Sequence, residues 1–318
     1  MGSSSSYHSK CAAKPVTAIA FSADGSRLFT ATDDGAIHVW GAEAGGALQT
    51  LRRHQASITA LATGPNGLLL SASADGTVVA WQLSDEWKLV RTIGTGNPDS
   101  PLVGRVLALA FSPDGSILVA GGGVPSRSGE LKFWSPADGT LLRDLPDAHS
   151  DTVFGLSFSG DGKYLASCAA DKFVKVFSAS DGKLFRAFEG HTNHVLGVGF
   201  RYDGRAVLSG GLDNRLKWWD VQTGEQRGDP NRQPFPAEIT SVNYVGFTDI
   251  ALVTTGDGRV HLVRSDGNGV RDFDAQGVYL SAGAATPDGA YILAGGQDGT
   301  LRLWDGREGQ LLASFPPP

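Results

Sequence analysis

The chain has 318 residues, and 43 of them are glycine, close to twice the roughly 7 per cent usual in globular proteins. With 41 per cent hydrophobic residues and apolar runs no longer than stretches such as 106–111, a polar disordered chain and a helical membrane span are both excluded. The 27 basic and 33 acidic residues leave a net charge of −6, which gives no electrostatic reason to expect nucleic acid or anionic lipid as a partner; two cysteines, Cys11 and Cys168, are too few for a disulfide framework or a structural zinc site.

Residues 1–14 are serine-rich, lack the cationic and apolar pattern of a signal peptide, and read as a flexible leader. Beyond them the chain repeats itself. The first module (15–53) places Val16, Ile19 and Phe21 before Asp24-Gly25; the second (54–101) has Ile58, Leu61 and Thr63 before Asn66-Gly67; the third (102–148) has Val106, Leu109 and Phe111 before Asp114-Gly115. Val153, Leu156, Phe158 and Asp161-Gly162 open the fourth (149–189), and Val195, Val198, Phe200 and Asp203-Gly204 the fifth (190–232). The sixth (233–275) keeps Ile239, Val242 and Tyr244 without a glycine turn, and the seventh (276–316) has Leu280, Gly283 and Ala285 before Asp288-Gly289. A second marker closes a short alternating run in each module: Trp40, Trp81, Trp134, Phe177, Trp219, Val263 and Trp304. The gaps of 41, 53, 43, 42, 44 and 41 describe equal modules with one insertion, placed at Gly121-Gly122-Gly123-Val124-Pro125-Ser126-Arg127-Ser128.

Alternation within each module, broken by Asp-Gly and Asn-Gly, predicts about four strands of four to seven residues and no helix. Small four-stranded sheets in a row would leave sticky edges and bury too little apiece, so radial closure is expected. The modules resemble the WD-repeat family of β-propellers in Gly190-His191, the Asp213 turn, Trp219-Asp220 and Trp304-Asp305, over residues 15–316. The resemblance implies an all-β, seven-bladed β-propeller of four-stranded antiparallel blades. The Arg and Ala content and the clean Ser-Pro-Asp-Gly turns point to its bacterial type.

In this family a buried bond chain joins a histidine before the first strand, a hydroxyl on the second, an aspartate at the next turn and the tryptophan. By position the complete sets are His54, Ser71, Asp75, Trp81 and His191, Ser209, Asp213, Trp219. His149, Ser167 and Asp171 face Phe177; Thr30, Asp34 and Trp40 lack the histidine. These histidines are therefore assigned to structure rather than catalysis, and His38 and His261 are expected to be half-exposed strand residues. No metal site and no cofactor are expected.

The resemblance also implies that the fourth-to-first and second-to-third connections share one face around the channel mouth and that this face binds partners. Arg105, His194, Glu238 and Tyr279 fall on incoming connections, Gln297 on an outgoing one, and Arg127 in the insertion, whose glycines fit no repeat rule and are read as a loop able to bend over the mouth. A solvated rim without a ligand is the plain alternative. Long connections 91–102 and 228–234 are two further irregular stretches. Ring closure is expected by packing of blades one and seven, rather than by a strand from residues 5–12.

No P-loop, His-Glu-x-x-His, Gly-x-Ser-x-Gly or Cys-x-x-Cys motif occurs. The reading is a non-catalytic scaffold for a protein or peptide partner, monomeric in isolation, with the cytoplasm favoured unless the chain is a domain of an exported protein. The alternative is a propeller hydrolase or lyase whose mouth would require His194 and Glu238 to converge.

Overall fold

The computed structural model describes residues 14–22, 24–41, 47–83, 86–94, 100–102, 104–227, 233–265 and 268–317. The leader up to residue 13, Asn97-Pro98-Asp99 and residues 228–232 lie outside them.

Blade four shows how sequence makes a blade. Its strands, Val153–Phe158, Tyr164–Ala169, Val174–Ser178 and Leu184–Phe188, pair in chain order into one antiparallel sheet. The first turn is fixed by Asp161, whose carboxylate accepts from the Ser159 hydroxyl at 2.7 Å and from the Lys163 amide at 3.1 Å. Gly162 beside it takes φ +70°, the left-handed region where a side chain would be strained. The same Ser/Thr-x-Asp-Gly device recurs at Ser112 with Asp114 (2.5 Å) and Thr286 with Asp288 (2.6 Å).

Seven such sheets form a seven-bladed β-propeller, each blade made of strands consecutive in the chain, and the first strands of neighbouring blades pack side by side around the centre. Six sheets have four strands. In the fifth, the described residues supply only three, Val195–Phe200, Ala206–Gly211 and Leu216–Asp220, with the fourth reduced to a bridge between Trp219 and Gln226. One single turn of 3₁₀ helix, Pro65–Gly67, makes the first turn of blade two.

The glycine run of blade three is not a loop over the mouth. Its second strand is Leu118–Val124 and its third Ser128–Trp134, so Gly121, Gly122 and Gly123 are buried strand residues and only 125–127 turn. Two of the three obey a repeat rule after all, matching Gly210-Gly211 and Gly295-Gly296 at the ends of other second strands. A Cβ on Gly121 would lie 3.0 Å from Val153 of the next blade, and one on Gly210 2.6 Å from Ile239. The second glycine of each pair sits under the bulged first strand: a Cβ on Gly211 would lie 2.0 Å from the His194 carbonyl oxygen. Gly129, next after the insertion, is likewise in a strand, with the Asp151 carbonyl oxygen 2.1 Å from where its Cβ would be.

Blades are stitched as well as packed. Arg91, Arg143, Arg186 and Arg271 occupy one register position on the fourth strands of blades two, three, four and six, and each reaches the third-to-fourth turn of the next blade. Arg143 donates to the carbonyls of Ala179 at 3.2 Å and Ser180 at 2.6 Å, and Arg186 to that of Gln222 at 2.9 Å. Among the described residues the last blade is built from its own strands, Leu280–Ala285, Tyr291–Gly296, Leu301–Asp305 and Leu311–Phe315. The ring closes where Leu28 and Trp40 of blade one meet Leu293, Leu301, Leu303 and Phe315.

Candidate functional site

Each complete bond chain runs inside one blade. His191 Nδ1 is 2.8 Å from Asp213 Oδ2, its Nε2 is 2.8 Å from Ser209 Oγ, and Ser209 accepts from the Trp219 indole at 2.8 Å. In blade two the distances are 3.2 Å (His54 to Asp75), 2.7 Å (His54 to Ser71) and 3.1 Å (Trp81 to Ser71). Burial opposes ionisation of Asp213, but the hydrogen bond from His191 and those from the amides of Thr192 and Arg215 hold its pKa below the usual carboxylate range. Asp75 and Asp171 are lowered in the same way. Burial pushes the His149 pKa down against the pull of Asp171. These groups bond to one another inside the sheets.

Two other histidines depart from expectation. His38 and His261 are buried rather than half-exposed, because the fourth strand covers them: His38 Nδ1 is 3.1 Å from Thr50 Oγ1, and His261 Nδ1 is 2.8 Å from Asp272 with the Phe235 ring 4.9 Å away. Blade three, which lacks the bond chain, has an ion cluster instead, the buried Lys132 Nζ lying 2.6 Å from the exposed Asp144 and 3.2 Å from the buried Glu130. Its Trp134 indole N–H has no acceptor, since Ala120 stands where Ser71 and Ser209 stand.

At the mouth, backbone hydrogen bonds tie the two loops together in five of the blades. The amides of Ala74, Ala170, Leu212, Gly256 and Gln297 donate to the carbonyls of Ser57, Thr152, His194, Glu238 and Tyr279 at 2.9–3.0 Å. The outgoing and incoming connections therefore do share a face. On it, Glu238 and Tyr279 lean together over Gly256, where a Cβ would lie 2.8 Å from Glu238 Cδ and 3.0 Å from Tyr279 Cε2. Burial first, and then the Glu238 carboxylate facing the hydroxyl, raise the Tyr279 pKa, so the phenol stays a donor at neutral pH. Gln297 is exposed beside Tyr279.

His194 turns the other way round the ring, its imidazole stacking obliquely on Phe154 of blade four at 6.1 Å. It does not converge with Glu238, which removes the pair that a hydrolase or lyase site required. Arg105 and Arg127 are exposed on blade three. The hairpin tip carrying Arg127 is held against the neighbouring blade, the Ser126 amide donating to Asp151 Oδ1 at 2.7 Å, so it flanks the mouth rather than capping it. Phe154 is a mouth residue that the repeat alignment passed over. It is the extra residue of the bulge between Val153 and Gly155, a position that falls two places after each incoming one and was available in the sequence. Among the described residues no group of three or more His, Cys, Asp or Glu is placed to hold a metal ion, and no helix is long and apolar enough to cross a membrane.

A ring of short antiparallel blades, two of them braced by a complete buried polar chain, offering variable loops at one mouth, defines a repeat-built propeller. The chain belongs to the WD40 family: the model of the WD domain, G-beta repeat, matches residues 4–41, 45–82, 88–135, 139–178, 182–220 and 269–305. The matches skip most of the sixth blade, where the glycine turn and the tryptophan are both missing. Among similar proteins are Periodic tryptophan protein 2 of Arabidopsis thaliana, 30% identical over 94% of this chain and 30% of that protein, and Nuclear distribution protein PAC1 of Arthroderma benhamiae, 26% identical over 91% of this chain and 58% of that protein. Protein groucho of Drosophila melanogaster is 26% identical over 72% of this chain and 30% of that protein. The chain thus spans less than two thirds of the length of these relatives. All three are eukaryotic, which gives the expected bacterial type no support.

Proposed function

We propose that the protein is a non-catalytic interaction scaffold whose mouth face binds a protein or peptide partner. The observation that carries this reading is the Glu238–Tyr279 pair over Gly256. It joins a large amphipathic ring to a carboxylate on a rigid backbone ring, the kind of anchor on which binding energy concentrates. Arg105 and Arg127 on blade three give the opposite arc of the mouth positive charge, while Glu238 gives blade six negative charge. A segment lying across the mouth would be oriented by that polarity, an acidic end over blade three and a donor-bearing end over blades six and seven. His194 with Phe154 offers a second, flatter contact between them.

The test compares proteins captured by the wild-type chain with those captured by an Arg105→Ala, Glu238→Ala, Tyr279→Ala variant that unfolds at the same urea concentration. Loss of specific partners is expected. An unchanged set of partners would show that binding uses another surface.

A further inference from the structure

Every blade has a bulge at the mouth end of its first strand, one residue after the strand opens. A bulge of this kind re-aims the side chain of its extra residue. All seven extra residues are half-buried, yet they divide into two continuous arcs. Blades six, seven, one and two carry the hydroxyls of Thr240, Ser281, Thr17 and Thr59, whereas blades three, four and five carry Leu107, Phe154 and Leu196. Three of the hydroxyls are occupied within the protein. Thr17 and Thr59 donate to the Ala31 and Ala72 carbonyls at 3.2 Å, and Thr240 shares a hydrogen bond of 2.7 Å with Thr254. The apolar arc is extended by Leu212, 37% exposed on the second-to-third turn of blade five, where other blades place Asp33, Ala74, Ala170, Gly256 or Gln297.

The charges beside this arc say what it fits. Arg105 stands two residues before Leu107 and pairs in register with Gly123. Arg127 follows Ser126, whose amide is bonded to Asp151 of blade four. Lys172 lies two residues beyond Ala170, whose amide is bonded to the Thr152 carbonyl, and Phe154 lies two residues beyond Thr152. All three cations are exposed, and among the described residues their side chains make no hydrogen bond or ion pair. The acids of the same loops are already engaged. Asp151 accepts from the Ser126 and Thr152 amides at 2.7 Å. Asp171 accepts from His149 and the amides of Ser150 and Phe173, and Asp213 from His191 and the amides of Thr192 and Arg215. What blades three to five leave open to a partner is therefore cationic side chains around an apolar arc, the pattern complementary to carboxylates around an apolar side chain.

We propose that this arc binds an acidic segment of a partner protein through one apolar side chain, seated against Leu107, Phe154 and Leu196, with carboxylates on either side of it meeting Arg105, Arg127 and Lys172. The proposal rests on the reading of the mouth as the binding face and names the class of segment it takes. The probe is a fluorescein-labelled peptide with a leucine between two pairs of aspartates, titrated with the full chain and followed by fluorescence anisotropy. Companion peptides replace the leucine by serine, or the aspartates by lysines. The acidic leucine peptide is expected to bind saturably, the serine peptide about tenfold more weakly, and the lysine peptide not at all. Raising the salt from about 0.05 M to about 0.5 M should weaken binding several-fold. Phe154→Ser should cost as much as the serine peptide does. Lys172→Glu, on an exposed turn, should weaken binding about tenfold with the urea midpoint unchanged, which keeps the test sound if Phe154→Ser fails to fold. No saturable binding of the acidic peptide, equal binding of the lysine peptide, or equal binding by wild type and Lys172→Glu overturns the proposal. If the peptide fails while the Arg105→Ala, Glu238→Ala, Tyr279→Ala variant still loses its captured partners, this proposal falls and the mouth reading stands; if the captured partners are unchanged as well, both fall.

Discussion

Replacing Ser209 by alanine removes one oxygen and strands two buried groups. His191 donates through Nδ1 to the Asp213 carboxylate, so its Nε2 is the accepting nitrogen, and the Ser209 hydroxyl donates to it at 2.8 Å while accepting from the Trp219 indole at 2.8 Å. Ser209 is fully buried and Trp219 is 2% exposed, so water cannot replace either bond without opening the blade. Two net hydrogen bonds and two orphaned groups together set a loss of about 2–4 kcal/mol, a large part of the roughly 5–15 kcal/mol that holds a domain folded. The assay is equilibrium unfolding in urea, followed by tryptophan fluorescence, with the denaturant slope unchanged. Ser167→Ala is the internal control, because Phe177 donates nothing and the substitution removes the His149 bond of 2.7 Å and only a long contact of 3.5 Å with the Lys175 carbonyl; its cost should be about half. A Ser209→Ala loss below about 1 kcal/mol, or equal losses at the two positions, would refute the assignment of the hydroxyl as a two-way relay.

The mirror experiment is Ala120→Ser in blade three, which offers the Trp134 indole an acceptor and should stabilise by about 1 kcal/mol in the same assay. Gly211→Ala drives a Cβ to 2.0 Å from a backbone oxygen and should destabilise by about 2 kcal/mol or more, with soluble yield as a second measure. Arg143→Ala removes two charge-assisted bonds and a contact with the Phe133 ring at 5.1 Å; a loss of about 1–2 kcal/mol is expected after allowing for partial exposure. The pKa values of Asp75, Asp171 and Asp213 are lowered on folding. Their contribution is therefore complete above the unfolded carboxylate value near about 3.9 and is lost as pH falls through the folded values. His149, also lowered, adds a term present above about 6.5 and lost as pH falls below it. Urea midpoints should fall in both windows, and His149→Gln should flatten the upper one.

Much of the fold was legible because the turns announce themselves. Asp-Gly pairs and a tryptophan every forty-odd residues state a local requirement that no distant contact can override. Misreadings came where a neighbour supplies the constraint. The glycines at 121 and 122 look like slack in the chain, but Val153 and the Arg105 carbonyl press on them from outside the strand; the matching pairs at 210 and 295 were the available signal. His38 and His261 are covered by a fourth strand whose register the sequence does not print. At the mouth, the shared face of the loops followed from the repeat. Which side chains meet did not, since Glu238 with Tyr279 and His194 with Phe154 are each pairings across a blade boundary. The recurring arginine of the fourth strand was visible as a pattern and invisible as a purpose until the next blade's turn was in place.

Those arginines all reach forward, from one blade to its successor, so the ring has a direction like a row of hooks and eyes. Among the described residues the row lapses at Ala313 of the last blade, at Gln49 of the first and in blade five, whose fourth strand is reduced to a bridge. Blade one therefore lacks the arginine on both sides, and is held to its neighbours by apolar contact and by Gln49, whose side chain accepts from the Trp87 amide at 3.0 Å and donates to its carbonyl at 3.1 Å. Cutting the circle elsewhere and joining the present ends would place new termini beside a hooked seam. A permuted chain opened between blades three and four would put the Arg143 stitch at risk, whereas one opened between blades one and two would put at risk only the Gln49 clamp.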